Sequence, residues 1–423
     1  MLNFLKKILV DSHKTKLPVI SASQYSIDIE SISSNAIKVI HKLNEAGYQA
    51  YLVGGSVRDL LLQKKPKDFD VVTNAKPEEV RDVFPRNCQL IGRRFRLAHI
   101  YFRGEFIEVA TLRTRDENSV AQQQHNGLII RDNIYGNSLS EDAKRRDFTI
   151  NALFYDIINE NIIDPTGGLK DLEQQTIRMI GDPAQRFQED PIRILRAIRF
   201  ASKLNFTIDK ETTPFLSHFG KDLPTVPNAR LFEEFFKLLF SEQVSQAFAQ
   251  LKHYNLLSFL LPQTANCLKG SSQFNNFVNI ALHNTDIRIR MGKSISPAFL
   301  IAVFLWQPMQ EQFNRFKQEN SNISEALIAA YNHTLQQHNH HILISKRIAA
   351  SVKDIWFMQE LLKRTYGKKP FRLIKRKLFR AAYDFLLLRA DADEPVKDLA
   401  LWWTEFQDDH AETINSLHFN MRN

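Results

Sequence analysis

The hydrophobic rhythm of the chain changes twice. Residues 11–34 are polar and serine-rich, which predicts an extended or disordered lead-in. Over 35–46 the apolar Ile37, Ile40 and Leu43 recur at helical spacing. From 48 to about 165 short strand-like and helix-like runs alternate. Residues 51–53 read as a strand and 57–62 as a helix; 98–102 and 105–113, joined by Arg103-Gly104, read as a β-hairpin. After Gly167-Gly168 the strand signal stops. Helices are expected over 190–204, 229–240, 244–254, 297–304, 323–335, 346–363, 371–389 and 399–406, with loops over 264–275 and 391–395. This predicts an α/β head on a mixed sheet followed by an all-helical remainder, with no internal repeat.

Composition narrows the class. A chain of 423 residues with 43% hydrophobic and 24% charged residues is long enough for two to four ordinary domains. No run approaches twenty apolar residues, so stable membrane insertion is not expected. Residues 1–10 are weakly apolar and lack a small-residue cleavage site, so they are not read as a signal peptide. The two cysteines, Cys88 and Cys267, match no metal spacing and fit reduced thiols in a cytoplasmic protein. The net charge of +9 mildly favours a polyanionic partner.

The most informative stretch runs from Gly54-Gly55-Ser56 through Arg58 to Asp68-Phe69-Asp70. In a strand, residues two apart share a face, so Asp68 and Asp70 present two carboxylates together, a ready site for hard cations such as Mg²⁺. A glycine turn opening a helix presents backbone N–H groups that suit phosphate oxygens. Taken singly, the acids are solvated strand-edge charge and the glycines an ordinary turn; together, at this spacing, they point to nucleotidyl transfer. Arg58 either pairs with Asp59 or Asp68, or forks onto phosphates. Glu108, flanked by apolar residues, is either the solvent-facing member of a strand or a functional acid. Arg146, Asp147 and Asn151 fall at helical spacing; Asp190 and Arg193 stand at i and i+3, with Arg196 a turn-step further.

These segments, in this order, resemble the polymerase-β-like nucleotidyltransferases, in the branch holding bacterial poly(A) polymerases and class II CCA-adding enzymes. The likeness includes Glu141-Asp-Ala-Lys-Arg-Arg-Asp-Phe-Thr-Ile-Asn-Ala-Leu153, Asp164-Pro-Thr-Gly-Gly-Leu-Lys-Asp-Leu172 and the Phe187–Ala201 stretch, and spans roughly 40–240. The segment Leu90-Ile-Gly-Arg-Arg-Phe-Arg-Leu-Ala-His-Ile100 and the C-terminal third, at 284–288, 297–300 and 379–384, are similar to the poly(A) polymerases in particular. The sequence stops at Asn423 without the long Arg/Pro-rich tail of some members, which puts a tail function in doubt but not catalysis.

The resemblance implies an α+β fold: a flexible lead-in (1–34), a polymerase-β-like head with a mixed sheet (35–166), a helical neck that reads the base (167–255), and a helical body and tail that bind RNA (256–423). It implies two Mg²⁺ ions on Asp68 and Asp70, with Glu108 as a third ligand or as an acid assisting 3′-OH deprotonation. It gives the phosphates to Gly54, Gly55, Ser56 and Arg58, the ribose to Asp147 aided by Arg146 and Asn151, and the base edge to Asp190, Arg193 and Arg196. The implied reaction is template-independent transfer of AMP from ATP to RNA 3′ ends, of mRNA and other transcripts. A CCA-adding enzyme is the alternative, and an inactive RNA-binding protein of the same fold the alternative of another class.

Two basic clusters remain. Arg93, Arg94 and Arg96 are either solvated charge or a substrate contact. The run 363–380 holds nine basic residues, Lys368, Lys369, Arg372, Lys375 and Arg376 among them, interleaved with Tyr366, Phe371 and Phe379. Basic and aromatic spacing of this kind suits single-stranded RNA. The histidines at 333, 338, 340 and 341 read as a solvated segment, not a metal site, and Trp402, Trp403 and Phe406 as a packing stripe.

Overall fold

Ser33 begins the first long helix: its hydroxyl accepts from the N–H groups of Asn35 and Ala36, and helix α1 (Ser34–Glu45) then buries Ala36, Val39, Ile40 and Leu43. That face covers one side of an eight-stranded sheet. The computed structural model describes residues 17–25, 27–92, 96–115, 124–125, 128–129, 133–319 and 322–411. It divides into two units, residues 1–189 with 206–212, and 190–205 with 213–423.

The first unit holds the sheet. Its strands are β1 (Val19–Ser21), β2 (Ala50–Val53), β3 (Asp70–Thr73), β4 (Cys88–Ile91), β5 (Leu97–Phe102), β6 (Glu105–Thr111), β7 (Phe154–Asp156) and β8 (Asn161–Ile163). They lie in the order β1-β8-β7-β2-β3-β6-β5-β4. Only β3 and β6 run parallel; the other neighbours are antiparallel, so the sheet is mixed as expected. The Arg103-Gly104 hairpin forms as predicted, Gly104 taking φ 94° in the turn. Part of the lead-in is ordered, contrary to its polar pattern: β1 pairs with β8 and makes one sheet edge.

Alternation divides the sheet's side chains between two faces. Leu52, Val71, Ile107, Val109 and Tyr155 join the core under α1. Val53, Val72 and Phe154 face the other way, against Leu139 and Ala143 of a later helix (Leu139–Arg145). A short helix after β2 (Gly55–Leu61) and another after β3 (Pro77–Val83) add Val57, Leu60 and Val80 to the core on the α1 side. Strand pairing also continues beyond Gly168, where no strand was expected: Thr176–Ile177 pairs in parallel with Thr207–Ile208.

The second unit is helical. The expected helices are present, with one break: the run 371–389 is two helices, Lys369–Ile374 and Phe379–Asp391. The break lets Leu373, Ile374 and Phe379 all enter one core with Trp403. The run 264–275, read as a loop, belongs to two helices, Pro262–Gly270 and Ser272–Arg290, which bury Leu268, Phe274 and Phe277. Buried indoles find acceptors: Trp356 Nε1 donates to the Ala302 carbonyl at 3.1 Å, and Trp403 Nε1 to that of Leu362 at 2.9 Å. The Trp402–Phe406 stripe packs as expected. His338 is not solvated: it is buried, which pushes its imidazole down to about 4. Among the described residues no helix is long and apolar enough to cross a membrane.

Candidate active site

Sheet register assembles the acids. Strand β3 begins at Asp70, so Asp68 lies two residues before it, outside the strand in which it was expected. Phe69 packs toward the α1 side, which turns the acids flanking it to the opposite face. Asp70 pairs with Glu108 on parallel β6 and with Val53, the residue before the glycine turn, on β2. The start of β3, the middle of β6 and the glycine turn that follows β2 therefore bring two carboxylates and the turn together across three adjacent strands.

The electrostatics follow. Asp70 is open to solvent on one side yet crowded by protein on the others. Desolvation pushes its carboxyl up to about 6; the Glu108 and Asp68 charges push the same way, and Arg146 pulls against them. Glu108 itself is turned to His99, its cross-strand neighbour, with Oε2 3.3 Å from Nε2. Among the described residues, no three His, Cys, Asp or Glu side chains gather as a preformed metal cluster. Asp68 and Asp70 nevertheless suit a divalent cation: they are hard oxygen donors whose mutual repulsion a cation would relieve.

The glycine turn needs its glycine. Gly54 takes φ 74°, and a Cβ there would lie 3.5 Å from Arg146 Nη1. Gly55 opens the helix, and its first N–H groups have no intrahelical partner. The Ser56 hydroxyl is buried and donates to the Val53 carbonyl, so it fastens the turn. Arg58 is buried as well. It binds Asp59 through Nε and Nη2 at 2.8 and 2.7 Å, and donates from Nη1 to Asn151 Oδ1 at 2.6 Å. Asn151 Nδ2 in turn donates to Asp147 Oδ1 at 3.1 Å. A chain Asp59–Arg58–Asn151–Asp147 thus runs beneath the turn.

Arg146, Asp147 and Asn151 do not share one helix. The helix Leu139–Arg145 ends at Arg146, Phe148 is extended, and Asn151 closes a 3₁₀ turn, Thr149–Asn151. The Asp147–Asn151 contact survives because the turn doubles back. Arg146 is held by Asp142, whose Oδ2 accepts from Nε and Nη2 at 3.1 and 2.8 Å.

Several residues that brace this geometry were not singled out as site residues. Asp142 also accepts from the Arg113 N–H, and burial pushes the Arg113 guanidinium down. Buried Arg186 donates from Nη2 to the carbonyls of Arg145 and Arg146. Thr149 Oγ1 donates to Asp171 at 2.7 Å, and Asp171 accepts from Arg178. The Asp164 carboxylate accepts from the N–H groups of Gly168 and Leu169, holding the start of the helix Gly168–Glu173. Of these, Asp142 had a signal in its spacing, four residues before Arg146, and Asp164 and Asp171 lie in a segment that carries the family likeness; Arg113, Thr149, Arg178 and Arg186 had no such local spacing.

Other sequence-predicted residues lie elsewhere. Asp190, Arg193 and Arg196 belong to the second unit. Asp190 Oδ2 accepts from Arg230 at 2.8 Å, while Oδ1 is buried with no donor in hydrogen-bond range among the described residues. Arg196 and Arg199 both pair with buried Glu234 at 3.3 Å. Arg93 and Arg94 lie outside the described residues; Arg96 pairs with Glu78 at the surface. In the 363–380 run, Lys368, Arg372, Lys375 and Arg376 are exposed. The interleaved aromatics are not equivalent: Phe379 is buried and Phe371 packs on Phe406, while Tyr366 stays 64% exposed with Lys369 Nζ 3.8 Å above its ring.

Comparison with known proteins bears on this site. Residues 50–178 match the family model for the poly A polymerase head domain, 205–268 that for the probable RNA and SrmB-binding site of polymerase A, and 319–422 that for the polymerase A arginine-rich C-terminus. Poly(A) polymerase I of Salmonella typhi is 43% identical, over 96% of this chain and 90% of its own. That of Haemophilus influenzae is 42% identical, over 94% and 90%. The CCA-adding enzyme of Anoxybacillus flavithermus is 40% identical, but over 53% of this chain and 55% of its own. Among solved structures, a Thermotoga maritima CCA-adding enzyme complexed with tRNA covers 92% of this chain and 85% of its own, with a TM-score of 0.62 at 19% identity, a likeness of fold. The head fold and the full-length relatives define a nucleotidyltransferase. Within that class, the chain belongs to the poly(A) polymerase family.

Proposed function

We propose that this chain adds AMP from ATP to RNA 3′ ends without a template, releasing pyrophosphate. The observation that carries the reading is the register that sets Asp70 beside both Glu108 and the residue preceding the Gly54-Gly55 turn. Two bound Mg²⁺ ions, held by Asp68 and Asp70, would supply the Lewis acidity that activates the 3′-hydroxyl and neutralises the triphosphate. The chain's own groups do the positioning. The N–H groups at the start of the helix after Gly54 receive phosphate oxygens, and Arg146, beside that turn, adds its charge. Asp147, oriented by Asn151, accepts from the ribose hydroxyls; Arg58 acts through Asn151 and is a positioning residue. Glu108, turned to His99, suits proton acceptance from the 3′-OH better than metal ligation.

In the second unit, Asp190, which also holds Arg230, would accept from an exocyclic amino group, and Arg193 would supply donors for ring nitrogens, a pair that matches adenine. Full-length similarity to poly(A) polymerases supports ATP over the CCA reaction. The exposed cations of 363–380 suit the RNA backbone. Both cysteines are free, which supports a reducing cytoplasm. The test is incubation of the purified protein with generic RNA and each NTP singly. ATP alone should give long, heterogeneous products. Short products of fixed length, made only on tRNA with CTP present, would replace this reading with the CCA reaction.

A further inference from the structure

The face that carries Asp70 and Glu108 continues into three aromatic rings. Cross-strand register pairs His99 with Glu108 and Tyr101 with Phe106, so His99, Tyr101 and Phe106 follow the carboxylates along the β5–β6 hairpin. Their neighbours Ile100 and Ile107 fill the core on the opposite face. The rings owe nothing to that core: Tyr101 is 43% and Phe106 51% exposed. They contact each other instead. His99 stacks on Phe106 with centroids 4.6 Å apart and planes 13° from parallel, and Tyr101 tilts onto Phe106 at 5.8 Å. Phe106 lies two residues from Glu108, about 7 Å along the strand.

An exposed aromatic row beside a catalytic carboxylate needs an occupant. Its acids are already engaged: Glu108 by His99, and Glu105, on the alternate face, by Ser33 and Asn35. The nearby turn residue Arg103 is an exposed cation suited to a phosphate. Flat rings with a cation at the end match single-stranded nucleic acid, since every base has a face to stack. We propose that Tyr101 and Phe106, backed by His99, form the shelf on which the 3′-terminal nucleotides of the RNA stack as the 3′-hydroxyl reaches Asp70. This rests on the polyadenylation reading for its substrate. Stacking tolerates any base, so the shelf would serve equally a natural 3′ end and the adenylates added to it.

The test uses the full chain and an RNA oligonucleotide with 2-aminopurine as its 3′-terminal base. Wild-type protein should quench the fluorophore on binding, and the double variant Tyr101→Ala/Phe106→Ala should lose that quenching. The double variant should also raise KM for RNA about tenfold, with KM for ATP unchanged. Phe106→Trp should behave as wild type, and Phe106→Leu, apolar but not planar, like the alanine variant. Equal quenching by the double variant, or a normal KM in Phe106→Leu, would overturn the shelf. Wild-type quenching without any AMP transfer would leave the shelf standing and remove the polyadenylation reading.

Discussion

Asp70 is least comfortable when ionised. Its folded pKa of about 6 lies above the ordinary 3.8, so the folded state holds this proton more tightly than the unfolded chain does. The resulting loss of stability is absent below pH 3.8, grows between 3.8 and 6, and is complete above 6. In chelator, Asp70→Asn should therefore stabilise the protein at pH 7.5, by about 1 kcal/mol after discounting for solvent screening, and change nothing near pH 4. The same variant should lose nearly all AMP transfer. Denaturant melts at the two pH values, with a transfer assay, check both halves. Asp147 makes the second prediction: Asp147→Ala should erode the preference for ATP over dATP, read as the ratio of kcat/KM values, while Asp147→Asn keeps part of it. The pairing of the acids was legible only in part: alternation needs only the chain itself, but β3 begins at Asp70 and Asp68 precedes it. The fate of Arg58 was not legible: its partner Asn151 is 93 residues away, and no local pattern chooses between an internal bond and a phosphate.

At the scale of elements, the turn before Gly168–Glu173 is the tightest joint in the head. A Cβ on Gly168 would meet the Thr149 carbonyl oxygen at 2.3 Å, whereas one on Gly167, at φ 80°, would meet nothing. Gly167→Ala should cost about 1 kcal/mol through backbone strain alone. Gly168→Ala should cost about 3 kcal/mol and displace the 3₁₀ turn that carries Asn151, lowering activity as well. Urea midpoints of the two variants separate the effects. The hairpin and the amphipathic helices were readable from period and turn residues. The helices at Pro262–Gly270 and Ser272–Arg290 were not, because Asn, Gln and Ser crowd their more exposed positions and mimic a loop. Burial of Phe274 and Phe277 overrides that propensity.

For the molecule as a whole, the net charge of +9 is partly concentrated in one exposed run. Replacing Lys368, Arg372, Lys375 and Arg376 with Gln should leave the thermal midpoint unchanged. If all four meet phosphates, it should flatten the slope of log affinity for single-stranded RNA against log salt by about three. Titrations at several salt concentrations read this directly; an unchanged slope would place the RNA path elsewhere. Charge density in this run was plain in the sequence. The inward turn of Phe371 and Phe379, which leaves Tyr366 as its exposed ring, depends on packing against Phe406 and Trp403.

The strand order has a consequence for synthesis. Strand β2, next to the strand that begins at Asp70, pairs on its other side with β7, which begins only at Phe154, and β1 waits for β8 to reach Ile163. A nascent chain that has exposed its glycine turn and both acids still carries β2 as an unpaired edge. Until the later hairpin leaves the ribosome, that edge is open to any passing strand, and the half-built head is the form most in need of a chaperone.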